Sequence, residues 1–226
     1  IIAGEAKSIQ KFIVLFGAPG SGKSTFLSIV KRLFEGYCAT FDAKALVGSN
    51  NAFATEAFKS NPLVAIQDDG DLSRIEDNTK LNSIASHEEI IVNEKNKPTY
   101  SLVIKSFLFM GTNKPVKITD AQSGIIRRLI DVVPTGNRIP TRRFFELMSQ
   151  VDFELGAIAA HCLDVFREMG KNYYSDYTPI GMMFKTDVIY NFVEDSFFVF
   201  KDQEFVTLKQ AYAMYKEYCS DTGIPN

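Results

Sequence analysis

The sequence predicts an α/β fold with a mainly parallel central sheet, an inserted β-hairpin and a C-terminal helical region. Three observations lead there. Short continuous apolar runs alternate with stretches of helical periodicity, as strands buried on both faces require. Two strand-like runs around a polar turn interrupt that alternation. From Pro140 onward the texture turns helical.

The elements follow in order. Lys11–Phe16 (KFIVLF) is a compact β-branched and aromatic strand that stops at Gly17. Phe26–Phe34 then sets Leu27, Val30, Leu33 and Phe34 at helical spacing. Leu63–Ile66 is a second strand, entered through Asn61-Pro62 and left through acids and Gly70. Phe107–Met110 is a third, ending at Gly111, and Leu129–Val133 a fourth, ending at Pro134. Between the second and third, Ile90–Val92 and Tyr100–Ile104 flank Asn93-Glu94-Lys95-Asn96-Lys97-Pro98, a hairpin set into the framework. Phe153–Met169 is amphipathic with Gly170 as its stop, and Asn172–Thr178 is a linker closed by Pro179. Asp187–Phe200 and Leu208–Tyr218 are two further expected helices.

Composition narrows the function. The 226 residues are 46% hydrophobic and 23% charged, with 25 basic against 27 acidic side chains, enough to build an ordinary globular core. No apolar run approaches the roughly 20 residues of a membrane span, so no membrane partner is expected. Cys38, Cys162 and Cys219 are far apart with no CxxC pair, which excludes a disulfide framework and a zinc knuckle. Reduced thiols fit a cytoplasmic protein. A net charge of -2 argues against a generally basic DNA-coating protein but leaves room for a local basic site. His87 and His161 belong to no metal-binding set. The chain opens on Ile1 without a signal peptide and is read as an internal fragment.

The strongest motif is Gly17-Ala18-Pro19-Gly20-Ser21-Gly22-Lys23-Ser24-Thr25, a full G-x-x-x-x-G-K-[ST] pattern between a strand and a helix. Glycines let the backbone turn tightly and aim N–H groups at phosphate oxygens. The helix that follows offers its positive end to the same anion. Lys23 is placed to reach β- and γ-phosphates, and the Ser24 hydroxyl suits Mg²⁺. ATP and Mg²⁺ are the expected cofactors.

Beyond the second strand, Asp68-Asp69 sits at a carboxyl end, where α/β sheets place ligands. Asp68 is assigned to the metal and Asp69 to activating the attacking water. A surface turn is the competing reading, with Asp71 and Glu76 as fallback acids. The third strand ends in Met110-Gly-Thr-Asn113, whose amide suits either a lytic water or a plain turn.

In order and spacing, GAPGSGKST, LVAIQDD, IIVNEKNKP, FLFMGTN and SGIIRRLIDVVP resemble a superfamily 3 helicase of the AAA+ class. The branch is similar to the helicase half of phage, plasmid and poxvirus primase-helicases. The similarity covers Phe12 to Pro134 and continues weakly through Glu154–Ile158 and Val206–Gly223. It implies an AAA+-like P-loop NTPase core over 1–135 with a pore hairpin at about 90–104. A helical lid over 136–175 and the truncated start of a helical or winged-helix-like domain over 176–226 would follow. It also implies that Asn113 senses water and phosphate from a strand between the P-loop strand and the acid strand. Arg128 would be an arginine finger reaching a neighbour's nucleotide, with Arg127 the close alternative. Lys95 and Lys97 would grip single-stranded nucleic acid at the hairpin tip without reading bases. Against the family pattern, Ser86-His87-Glu88-Glu89 stands where glycines are common, and Gln67 where an apolar residue is common.

The resulting expectation is a replicative helicase, a homo-oligomeric, hexameric ring that hydrolyses ATP to move on single-stranded DNA and unwind fork DNA, with a primase domain on a preceding segment. Rival readings are a small P-loop metabolite kinase, or an AAA+ module that moves RNA or acts as an ATP-switched assembly factor.

Overall fold

At the centre of the sheet runs β1 (Phe12–Phe16), an apolar strand with Phe12, Val14 and Leu15 fully buried. The computed structural model describes residues 1–48, 53–73, 77–116, 124–186, 189, 192–193, 196 and 205–221. By contacts the chain divides into two compact units, Ile1–Pro179 and Ile180–Asn226.

In the first unit, β2 (Cys38–Thr40), β3 (Val64–Gln67), β6 (Phe107–Thr112), β1 and β7 (Leu129–Val132) form one five-stranded sheet in that spatial order. Every pairing is parallel, in registers such as Ile13↔Phe109, Phe12↔Leu129 and Ile66↔Phe109. The α/β class expected from the sequence is therefore observed. Helix α1 (Ala6–Ile9) precedes β1, and helices α2 (Lys23–Leu33), α3 (Ala43–Val47) and α4 (Thr79–Ala85) lie between the strands in sequence. Leu27 and Val30 of α2 pack with Leu15, Val64, Ile66 and Phe109 in a core cluster.

Three differences from the sequence reading have physical reasons. Helix α2 starts at Lys23 rather than Phe26, because its first turn is polar and leaves no apolar period. The short edge strand β2 pairs only with β3 and is half-buried to exposed, so it carried no readable pattern. Helix α5 runs over Thr141–Met169, entered through Pro140 and closed by Gly170 at φ +74. Its first twelve residues precede the expected Phe153 start, and none of the helix is fully buried, which blurs its amphipathic stripe.

The inserted hairpin forms a separate two-stranded sheet, β4 (Glu89–Val92) against β5 (Tyr100–Val103), in antiparallel register Ile90↔Leu102 and Val92↔Tyr100. Two side chains dock it on the core. Thr55 Oγ1 donates to Ile91 O (3.3 Å) and accepts from Asn93 N (3.4 Å). Asn61 donates to Val103 O (3.0 Å) and accepts from Lys105 N (2.8 Å). Just before β4, His87 is buried at φ +53, a left-handed conformation that ordinarily favours glycine. The position where the family resemblance expects glycine thus keeps glycine-like geometry with a histidine in it.

The second unit contains α6 (Ile180–Thr186) and α7 (Leu208–Asp221). The Phe192 ring meets Tyr215 and Tyr218 at 5.5 and 5.6 Å between centroids. The helix expected over Asp187–Phe200 falls mostly outside the described residues. No helix among the described residues is long and apolar enough to cross a membrane.

Candidate functional site

The P-loop closes on its own lysine. Gly20 and Gly22 take φ of +76° and +96°, which a side chain would strain. Lys23 is 7% exposed, and its ammonium donates to Gly17 O (2.7 Å), Ala18 O (2.9 Å) and Asn113 Oδ1 (2.7 Å). Gly22 caps α2 with no side-chain bond, so the helix meets the loop with first-turn amides left to whatever anion lies there. The Ser21 hydroxyl oxygen is buried without a partner among the described residues. A cation, uncapped helix amides and an orphaned hydroxyl on one loop fit a polyphosphate.

The acid strand is brought to the same place. Asp68 and Asp69 are exposed just past the carboxyl end of β3, and Ser24, Thr40 and Asp68 line one cleft of about 190 Å³. The hydroxyl oxygens of Ser24 and Thr40 and the Asp68 carboxylate suit a hard divalent cation such as Mg²⁺, and the Cys38 thiol lines the same cleft. Among the described residues no cluster of three or more His, Cys, Asp or Glu could hold a metal without further ligands. Asn113 follows β6, the strand between β1 and β3, where the resemblance puts it.

The loop after β3 packs against the carboxyl end of β6. A Cβ on Gly111 would stand 2.4 Å from Asp68 O, and one on Gly70 2.3 Å from Met110 Sδ. Gly70 N donates to Gly111 O at 2.7 Å. Asp71, a fallback acid, is used otherwise. Its carboxylate accepts from Ser73 Oγ (2.5 Å) and Lys114 Nζ (2.8 Å), which hold it well below the usual carboxylate range. That pair clasps the acid loop to the residue after Asn113. Glu76 lies outside the described residues.

Two features escaped the sequence reading. Gln67, odd beside the family pattern, accepts from Ala43 N (2.7 Å) and so ties β3 to the start of α3. On the other side of the P-loop, Phe26, Ile29, Asn137, Arg138, Ile139 and Phe144 line a cleft of about 720 Å³ that also reaches Gly20 to Thr25. An Arg138 terminal nitrogen lies 3.9 Å from where a Gly20 Cβ would stand. A lone arginine in a Gly/Pro loop has no periodicity, so nothing in the sequence marked it.

The two adjacent arginines are placed differently. Arg128 is 6% exposed and spends its guanidinium inside the chain, Nε on Ser86 Oγ (2.8 Å) and Nη1 on Gly124 O (2.9 Å). Burial and the Arg127 charge pull its pKa down. Arg127 is the exposed member, directly before it. It stands at the amino end of β7, whereas the P-loop leaves the carboxyl end of β1, roughly 13 Å of parallel strand away.

The hairpin lysines also separate. Lys97 is paired with Glu94 at 2.7 Å, and Glu94, 8% exposed, also accepts from Tyr100 OH (3.0 Å) and stands 4.0 Å from Lys59. These contacts hold the Glu94 carboxyl below its usual range and Lys97 above its own. Lys95 is exposed and makes no ion pair among the described residues. Asn96 between them takes φ +62 at the tip.

Fold and site together define an α/β P-loop domain with a docked hairpin. The chain belongs to a family of unknown function, DUF5906, whose model matches residues 15–128. Among solved structures, the apo C-terminal region of NrS-1 (305–718) is similar at 13% identity and a TM-score of 0.54, over 93% of this chain and 54% of that one. This chain therefore spans about half of that region, and the likeness is one of fold. An A-form apo structure of the same region matches at 17% identity and a TM-score of 0.48 over 63% of this chain and 34% of that one. A JCV helicase matches at 11% identity and 0.38, over 96% and 57%.

Proposed function

We propose that the chain is an ATP-hydrolysing motor domain that moves single-stranded DNA through a ring of its own copies, and so serves as a replicative helicase. The observation behind this reading is the position of Arg127, exposed at the sheet end opposite its own P-loop. An arginine so placed is free to complete another copy's phosphate site, where a guanidinium stabilises transition-state charge. Lys23 and the α2 amides bind the β- and γ-phosphates, and Phe26, Ile29 and Phe144 seat the nucleoside beside them. Ser24 and Asp68 would hold Mg²⁺, which when bound draws charge from the phosphate oxygens. Asp69 takes the proton of the attacking water, which Asn113 orients. Lys95 contacts the strand's phosphates. The ring is hexameric in this reading, and a primase domain belongs to a longer protein of which this is the motor part.

The test is ATP turnover with and without single-stranded DNA, on material whose mass is measured in the same solution. Turnover stimulated by the strand in an oligomer supports the motor. Phosphoryl transfer to a small acceptor, by a monomer indifferent to DNA, would replace it with a kinase.

A further inference from the structure

The Arg128 guanidinium is a buried cation without a matching anion. No carboxylate lies within ion-pair distance among the described residues. Arg127 repels it, and Glu88 is the attracting charge nearby. Its hydrogen-bond acceptors are a hydroxyl and a backbone carbonyl, Ser86 Oγ and Gly124 O. Taking a cation out of water with only neutral acceptors is costly, and an apolar side chain would often serve stability better. Its two ends explain its use. Through its backbone, Arg128 O accepts from Phe12 N (2.8 Å), which fixes the start of β7, and Arg127 is its neighbour in sequence. Through its side chain it holds Ser86, which ends α4 and precedes the left-handed His87 and the first hairpin strand.

We infer that the Ser86–Arg128 hydrogen bond is the positioning link between hairpin and arginine finger, so that a strand gripped by one subunit's hairpin sets the reach of its Arg127 into the neighbouring nucleotide site. This rests on the motor reading above. Neither Ser86 nor Arg128 lines the clefts beside the P-loop. Ser86 is one residue from the left-handed His87, taken here as the hinge, and Arg128 is one residue from Arg127, whose backbone carbonyl also accepts from Lys11 Nζ (2.5 Å). Hinge movement shifts the hydroxyl, the guanidinium follows, and the backbone at Arg127 moves with it.

Ser86→Ala removes the link while leaving every phosphate, metal and strand contact in place. Gly124→Ala attacks it from the other side, since the added Cβ would stand 2.9 Å from Arg128 Nη1. Ser86→Thr keeps the hydroxyl. ATP turnover is measured against increasing oligo(dT), with nucleotide and oligo(dT) affinities and melting temperature determined on the same samples. In Ser86→Ala and Gly124→Ala, the stimulation factor is expected to fall at least about fivefold, the low end of ordinary coupling between sites. Basal turnover and both affinities stay at the wild-type values, and Ser86→Thr recovers stimulation. Wild-type stimulation in Ser86→Ala overturns the inference while leaving the motor reading intact. So does a loss that tracks weakened oligo(dT) binding, which would place Ser86 in the grip itself. A wild-type protein that oligo(dT) does not stimulate overturns the motor reading first, and the link with it.

Discussion

The Lys23 ammonium and the Asn113 side-chain carbonyl stand 2.7 Å apart, so the P-loop lysine is held by the tip of a neighbouring strand as well as by its own loop. Asn113→Ala should therefore lower ATP turnover about a hundredfold or more while changing nucleotide affinity little. Asn113→Asp would give Lys23 an ion-pair partner and set a carboxylate against the γ-phosphate, so it should weaken nucleotide binding as well. Equilibrium binding of a non-hydrolysable ATP analogue, beside single-turnover rates, separates the two. Unchanged turnover in Asn113→Ala would remove it from the site.

The two arginines should fail differently. Arg127→Ala is expected to abolish turnover and keep wild-type melting, and mixing it with Lys23→Ala protein should restore part of the activity. Arg128→Ala leaves Ser86 and Gly124 without their donor and should cost about 1–3 kcal/mol of stability for each buried acceptor stranded. Mixed samples with no recovered turnover would exclude a finger acting between copies.

At the hairpin, Glu94 neutralises the lysine beside it. Glu94→Gln should release Lys97, tighten oligo(dT) binding at low salt and steepen the salt dependence by about 0.7 in log–log slope, one added phosphate contact on a single strand. Lys95→Ala should do the reverse. A slope that moves in neither variant would mean the tip meets no phosphates.

His87 offers a test of backbone strain. Both His87→Ala and His87→Gly remove the imidazole, but only glycine adopts φ +53 without a Cβ penalty. The glycine variant should be more stable than the alanine variant by about 1 kcal/mol, read from denaturant midpoints. Equal midpoints would show that the turn relaxes.

Burial and the Asp131 carboxylate, which accepts from its hydroxyl, push the Tyr177 phenol up to about 12 from an ordinary 10.0. A raised folded pKa favours the neutral form in the fold. Its stabilisation is complete below pH 10 and is lost as pH rises through about 12. Alkaline melting curves should show this loss in the wild type and a flatter one in Tyr177→Phe. Parallel curves would show that the bond contributes nothing.

What was legible in the sequence follows from how each element is built. The buried parallel strands announced themselves as apolar runs, and the P-loop as fixed glycines, because both demand particular residues at particular places. Strand β2 and the first turns of α5 were silent, since three half-exposed residues and a helix with no buried face leave no period. The difference in burial between Arg127 and Arg128 was also beyond the sequence. Which of two adjacent arginines turns inward depends on Ser86 and Gly124, 42 and four residues away. Lys97 looked as available as Lys95 until Glu94 folded under it.

The backbone contact of Gly111 with Asp68 has a mechanical meaning. With no room for even a methyl group between them, the strand tip that bears Asn113 and the tip that bears the acids cannot slide independently. They behave like two cogs meshed at a single tooth, so a displacement felt at one is imposed on the other in the same instant. Timing in such a machine would be set by geometry, with no separate signal needed to keep the two halves in step.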